Sequence, residues 1–362
     1  MYGEIVRMNQ TDLKYCNDIN NNIYLYGTHD GQAQGIVSFN NKFIVPGMPV
    51  PKEIIVTDEE INNINLANHI IMPSLEGSLI RVMHCDNKWI ISTNKKLNAF
   101  QSYWGSNKSF GDLFFENIQK TDPSILSMLD KEKIYIFFLK TDRNTKIVCN
   151  QENQENLTLF GTYEKINSDT PVVKMPDIIY DQSNIIEFKT IDDMRAYINS
   201  SNENNITRQG LILFNIDSSS NPQIIKILDP KYKFLFDIRN NNPSVQARFL
   251  ELLLQDKNHL EKFVHVMYPE RNQEFISIWK NFCQMIDYLS SAYIQRHIQC
   301  NPDTYISPSI LHHFVEDLHG YISLNKIILG EDTKNIKPIL IEIFKNIYNG
   351  HEIMNMLKKF SC

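Results

Sequence analysis

The run Pro73-Ser74-Leu75-Glu76-Gly77-Ser78-Leu79-Ile80 places a hydroxyl, a carboxylate and a glycine just ahead of an apolar, strand-like stretch. A lysine at such a position can be tuned into a nucleophile by lowering its pKa. A serine hydroxyl needs an adjacent base, and the residues around Ser74 offer none. Lys95-Lys96 could act as a substitute nucleophile or touch phosphate, or could simply be the solvated end of a strand. Lys226 reads as a single cation within an apolar strand. His297, Cys300, His312, His313 and His319 form the one metal-like group. Zinc would need four converging nitrogen or sulfur ligands, and His-x-x-Cys without a second tight pair is a loose match, so ordinary helix histidines are the plainer reading. Trp104-Gly105-Ser106-Asn107-Lys108-Ser109-Phe110-Gly111 combines aromatics, two glycines and a lysine. It reads as a structural turn into a helix at 110, or as a stacking wall for nucleic acid.

Strands must position most of these groups. Ser78–His84 and Trp89–Thr93 flank Asp86-Asn87, a hairpin signal with alternating faces. Asn22–Tyr26 and Gly35–Val45 read as strands, the second folded back at Asn40-Asn41. Lys133–Leu139, Asn144–Val148 and Leu157–Tyr163 read as strands around the polar loop 150–156. Gly210–Asn215 and Ile224–Leu228 pair through an Asp-Ser-Ser-Ser-Asn-Pro turn. Thr57 and Glu60 suggest a capping box, and Phe110–Ile118, Pro123–Asp130 and Thr190–Asn199 suggest helices.

The pattern changes at Arg239-Asn240-Asn241-Asn242-Pro243. Strand signals stop there, and Ser244–Gln255 repeats apolar residues at helical spacing. In Glu274–His297 the apolar positions 275, 278, 282, 285, 289 and 293 form one helix face. Ile310–His319 and Ile339–Tyr348 are further helices, the latter ending before Gly350. The reading is an α+β chain with a sheet domain over 1–240 and a helical domain over 241–362.

With 362 residues, 42% hydrophobic and 22% charged, the chain has the composition of a globular protein of two or three domains. A net charge of −6 excludes a globally basic nucleic-acid binder and leaves room for a local basic groove. The six scattered cysteines, with no CxxC pair, fit a reduced compartment. No apolar run reaches the length of a membrane span, and no signal pattern opens the chain. A cytoplasmic setting is expected, meaning host cytoplasm or virion if the source is a virus.

Ser74–Leu79 resembles the Lys-x-(Asp/Glu)-Gly-Ser-Leu box of RNA ligases, DNA ligases and mRNA-capping guanylyltransferases. Further segments follow in the same order over roughly residues 25–240. Ala33-Gln34-Gly35-Ile36-Val37 is similar to an Arg-Gly-Ile-Val segment. Met48-Pro49-Val50-Pro51-Lys52 stands at a Pro-Phe-x-Lys-Phe-like run. Tyr135–Leu139 and Asn144-Thr145-Lys146-Ile147-Val148 resemble the third motif and its Asn-Arg-Ile-Val sequel. Arg208–Ile212 resembles the fourth motif, and Lys226-Ile227-Leu228-Asp229-Pro230-Lys231-Tyr232 the fifth. The set looks like the phage-type RNA ligase branch that large DNA viruses also carry. It implies an antiparallel-sheet nucleotidyltransferase domain followed by a helical appendage.

The departures fall where the family's chemistry is most demanding. Ser74 replaces the nucleophilic lysine, Phe138 and Gln209 replace two glutamates, and Leu228 replaces a lysine. Magnesium needs carboxylate oxygen, and phosphoryl transfer needs positioned positive charge. The resemblance therefore implies no catalytic residue here. It leaves Glu76, Gly77, Lys95 and Lys226 as nucleotide- or phosphate-binding positions if binding is retained. No cofactor is expected; ATP or GTP with magnesium would be implied only by retained activity.

Three functions stay open. One is a degenerate nucleotidyltransferase kept as a binding or scaffold subunit in viral RNA processing, transcription or virion assembly. Another is an active RNA ligase or guanylyltransferase with a displaced nucleophile. The last is a structural assembly protein without a ligand. The expected partner is protein, through the helical domain, with RNA as the alternative and no membrane.

Overall fold

A computed structural model describes residues 6–7, 13–19, 22–121, 123–140, 145–150, 157–179, 182–201, 205–215, 223–255, 259–301, 310–324 and 336–360. The fold is α+β, and the chain divides into two compact units, Met1–Phe236 and Asp237–Cys362.

The first unit is built on three main sheets. One five-stranded sheet runs Lys88–Thr93, Gly77–Cys85, Lys133–Lys140, Leu157–Glu164, Asp177–Ile178, all antiparallel. A four-stranded sheet runs Lys52–Ile55, Ile224–Leu228, Gly210–Asn215, His69–Ser74, with one parallel pairing at its Lys52–Ile55 edge. A third sheet holds Leu13–Ile19, Ile23–Thr28, Ala33–Phe39 and Lys42–Val45 in that order, with Met48–Pro49 beside Ala33–Phe39. The two expected hairpins form. Asn40 and Asn41 have φ of 49° and 65°, and Asp86 and Asn87 have 50° and 58°, the left-handed pair that a two-residue turn requires.

Alternation along each strand decides what covers it. Ile80, Val82, Phe137 and Leu139 pack under the helix Phe110–Thr121 through Phe114 and Ile118. Met83, Ile134 and Ile136 point the other way and join Leu25, Val37 and Val45 of the third sheet. In the four-stranded sheet, Leu211, Leu213 and Ile227 pack against Met194 and Ile198 of the helix Ile191–Asn199. Its opposite face, with Met72, Ile212, Phe214 and Ile224, meets Leu79 and Phe160 of the five-stranded sheet. The two motif-bearing sheets thus share an apolar layer.

The second unit is helical. Its central helix, Asn272–Tyr293, buries the whole expected stripe of Phe275, Ile278, Phe282, Met285, Leu289 and Tyr293. Val245–Gln255, Ile310–Leu324, Ile336–Ile347 and Gly350–Phe360 supply Leu250, Phe314, Phe344 and Leu357 to the same core.

Two local readings are corrected, and two helices add to those expected. The Thr57/Glu60 capping box does not form. A short 3-10 turn, Glu59–Asn63, starts after Asp58, whose carboxylate accepts instead from Ile55 N at 2.7 Å, while Glu60 pairs with Lys52. Thr145–Val148 is not a strand, because a side-chain carboxylate takes the amides of Ile147 and Val148; Asn144 lies outside the described residues. The 217–222 turn lies outside them as well. A helix over Pro230–Arg239 went unread, although Asp229-Pro230 is a start signal and the Asp229 carboxylate accepts from Lys231 N at 2.8 Å. Gly350 opens a helix as well as following one. Asn349 and Glu352 cap it reciprocally, and a Cβ on Gly350 would fall 2.2 Å from Ala247 O.

Candidate functional site

Ser74 ends one strand of the four-stranded sheet, and strand register sets its neighbours. Gly210 lies opposite Ser74 on one side and opposite Leu228 on the other. Gln209 N donates to Ser74 O at 2.7 Å, and Asp229 N donates to Gln209 O at 2.9 Å. Gly210 has φ +143°, and a Cβ there would sit 2.0 Å from Ile227 O, so this crossing admits only glycine. Three of the four departures, Ser74, Gln209 and Leu228, therefore meet at one end of three adjacent strands.

Their side chains are buried and mutually satisfied. Ser74 is 3% exposed, and its Oγ donates to Gln209 Oε1 at 3.0 Å. Gln209 Nε2 donates to Tyr232 Oη at 2.8 Å, and that hydroxyl bonds onward to the Glu76 carboxyl. Glu76, with no exposed surface, accepts from Ile147 N at 3.2 Å and Val148 N at 2.9 Å. The buried Cys149 thiol lies beside the same carboxyl; burial raises its pKa, and that charge raises it further. The result is one hydrogen-bonded chain running Ser74, Gln209, Tyr232, Glu76 and the 147–149 backbone.

Electrostatics follow from burial. Desolvation raises the Glu76 pKa, opposed by the backbone N–H groups of 147–149 and by Tyr232. Burial pushes the Cys149 thiol well up and raises the Tyr232 hydroxyl too, both reinforced by the Glu76 charge. These shifts disfavour the ionised, reactive form of each group. The partner of Ser74 is an amide oxygen, which cannot take a proton from a nucleophile as a general base would.

The third-motif position lies on the neighbouring sheet. Phe138 pairs across from Leu79 and Thr158, and its half-buried ring lies over Gly77. A Cβ on Gly77 would fall 2.5 Å from that ring and 2.5 Å from Leu139 O. Gly77 is thus required by the phenylalanine as well as by the strand crossing.

The remaining candidate lysines do not join the chain of hydrogen bonds. Lys226 Nζ pairs with Glu53 Oε1 at 3.3 Å on the adjacent parallel strand. Lys95 is exposed in a turn held by Thr93 Oγ1, which accepts from Lys95 N at 3.2 Å and Lys96 N at 3.0 Å.

A magnesium ion does not fit the donors present. The Glu76 oxygens and the Gln209 amide oxygen already accept protein hydrogens, and Phe138 offers no donor atom. In the helical unit, His297 and His319 stack at 4.3 Å, and Tyr293 Oη lies 3.3 Å from His319 Nδ1. Cys300 is exposed, and the side chains of His312 and His313 lie outside what is described. Among the described residues no group of three or more His, Cys, Asp or Glu side chains could hold a metal ion.

Sequence reasoning missed three participants. Tyr232 was legible as a motif residue but not as the link between Gln209 and Glu76. Cys149 carried no signal beyond following Ile147-Val148. Arg81 is buried, donates to the Gly35 and Thr93 carbonyls, and is lowered to about 10 by desolvation. Gly35, with φ +81°, makes room for that guanidinium by lacking a Cβ, which would fall 2.9 Å from Arg81 Cζ.

The chain is 30% identical over 314 residues to the immediate-early protein ICP-46 homolog of Invertebrate iridescent virus 6, covering 80% of this chain and 67% of that protein. This chain belongs to the ICP-46 family. A second member, from Invertebrate iridescent virus 3, is 26% identical over 272 residues, covering 72% of this chain and 59% of that protein. No family model matches. Among solved structures, two forms of an archaeal ATP-dependent RNA ligase are similar at 10% identity. Form 1 gives a TM-score of 0.38 over 95% of this chain and 76% of that one. Form 2 gives 0.39 over 73% and 70%. Among the described residues no helix is long and apolar enough to cross a membrane.

Proposed function

We propose that this ICP-46 family member is a viral ligase-like protein that transfers no nucleotide and works as a binding or scaffold subunit. The observation that carries this is the Ser74 hydroxyl donating to Gln209. The position that would have to attack a nucleotide is instead buried in a closed hydrogen-bonded chain without a base. The motif residues have a different use. Glu76, Gln209 and Tyr232 tie the four-stranded sheet to the 147–149 segment and the helix Pro230–Arg239. The scaffold persists because its motif positions hold it together. RNA processing, transcription and virion assembly are the settings in which such a subunit would serve.

The test is to incubate the purified chain with α-labelled ATP or GTP and magnesium or manganese, then denature. No label should remain on the protein. Label that remains, and is lost on Lys95→Ala, would establish the rival reading of an active enzyme with a displaced nucleophile. We assign protein contact to the helical unit, whose helices bury one face and expose charge on the other. Partners recovered with the full chain should be lost when 243–362 are removed. Their retention by the shortened chain would overturn this assignment.

A further inference from the structure

The segment after the strand Lys88–Thr93 has no part in the buried hydrogen-bonded chain, yet it is built with some care. Arg81 anchors its start by donating to Thr93 O at 2.9 Å. The Thr93 hydroxyl then fixes the turn that carries Lys95 and Lys96. Lys96 Nζ reaches Gln101 O at 2.8 Å, and Asn98 caps the following short turn by accepting from Phe100 N at 3.0 Å. Phe110 N donates to Ser102 O at 2.8 Å, and Tyr103 bridges to Ser109, so the loop closes on itself before the helix Phe110–Thr121.

This frame presents apolar rings and cations together. Phe100 is 40% exposed and Tyr103 57% exposed. Gly111 makes the seat for Phe100, since a Cβ there would lie 2.6 Å from its ring, and Phe115 supports it at 5.8 Å. The nearby acids are already engaged. Asp112 bonds Ser109 at 2.6 Å, and Glu116 pairs with Lys108 at 2.6 Å. Lys95 and Lys96 make no ion pair with a described residue. Between Thr93 and Thr121 there are four lysines against two acidic residues, while the whole chain carries −6.

We infer that Lys95, Lys96, Phe100 and Tyr103 form a docking surface for single-stranded polynucleotide. Exposed rings offer every base a stacking face, and the lysines meet the backbone phosphates. Duplex, whose bases are already stacked, would gain only the charge contacts. This deepens the binding-subunit reading by naming a partner class. Its test reads strand binding and not nucleotide transfer, so either can fail without the other.

Anisotropy of fluorescein-labelled 20-mer ribo- and deoxyribo-oligonucleotides, titrated with the full chain at rising salt, tests it. Binding of either strand in preference to duplex is expected, weakening steeply with salt. Lys95→Glu with Lys96→Glu should weaken it at least about tenfold. Tyr103→Leu should weaken it roughly tenfold, with Tyr103→Phe restoring most of the loss. All of these positions are exposed, and circular dichroism of each variant checks its fold. Absence of binding at tens of micromolar protein, equal binding of duplex, or insensitivity to these changes would overturn the proposal. So would equally tight binding of a polyglutamate peptide with no dependence on Tyr103, which would mark an acidic protein partner instead.

Discussion

Gln209 sits between two hydroxyls and satisfies both, accepting from Ser74 and donating to Tyr232. An amide is suited to that place because it carries one acceptor and one donor on the same rigid fork. Gln209→Ala would leave the buried Ser74 hydroxyl without its acceptor and take from Tyr232 the donor on its oxygen, at a cost of about 1–3 kcal/mol. Urea denaturation should show that loss. A change below about 0.5 kcal/mol would mean that the chain of bonds does not hold the fold. Glu76 supplies a pH signature. Its folded pKa is raised from an ordinary 4.5 by burial. Its favourable contribution is therefore complete below the unfolded pKa and is lost as pH rises through the folded one. Stability of the wild type minus that of Glu76→Gln should fall across the interval above about pH 4.5. A difference that stays level there would show an unperturbed carboxyl.

At the scale of elements, the site is a consequence of register. Ser74, Gly210 and Leu228 are brought together because three strands end in step. Gly210 permits this with φ +143°, a conformation that L side chains avoid, and with Ile227 O only 2.0 Å from where a Cβ would be. Gly210→Ala should cost more than about 3 kcal/mol, combining strain and collision. Thermal melts check this, and a shift of only a degree or two would show that the strand crossing can relax. The same element-level logic explains the 145–150 segment. Its Ile147 and Val148 amides are satisfied by a side chain, so a sequence that reads as a strand forms none here.

For the whole molecule, the departures must be weighed together. Ser74→Lys alone should not form a nucleotidyl adduct. The new amine would replace a 3%-exposed hydroxyl facing an amide, while Phe138 and Gln209 still offer no carboxylate and Leu228 no cation. Groups that act as a unit lose activity non-additively, so one restored member recovers little. Labelled nucleotide retained after denaturation, at a substantial fraction of one per chain, would show that the other three changes are tolerated. The variant should also be less stable than the parent, because a buried lysine must desolvate or lose its proton.

The sequence by itself determined the α+β class, both two-residue hairpins, the strands at 78–84, 133–139, 210–215 and 224–228, and the buried stripe of the central helix, but not the strand His69–Ser74. All rest on local physics, namely side-chain alternation, asparagine's tolerance of positive φ and helical periodicity. It also located Ser74, Phe138, Gln209 and Leu228 as departures, since residue type alone shows which chemistry is missing. Only the tertiary structure decided what those residues do instead. Ser74 and Gln209 are 135 positions apart, and Glu76 and Val148 are 72 apart. Their hydrogen bonds depend on which strands pair and in what register, a non-local choice that no window of sequence encodes. The same is true of Arg81 and Gly35, where a buried cation and a left-handed glycine fit each other only after two sheets have packed.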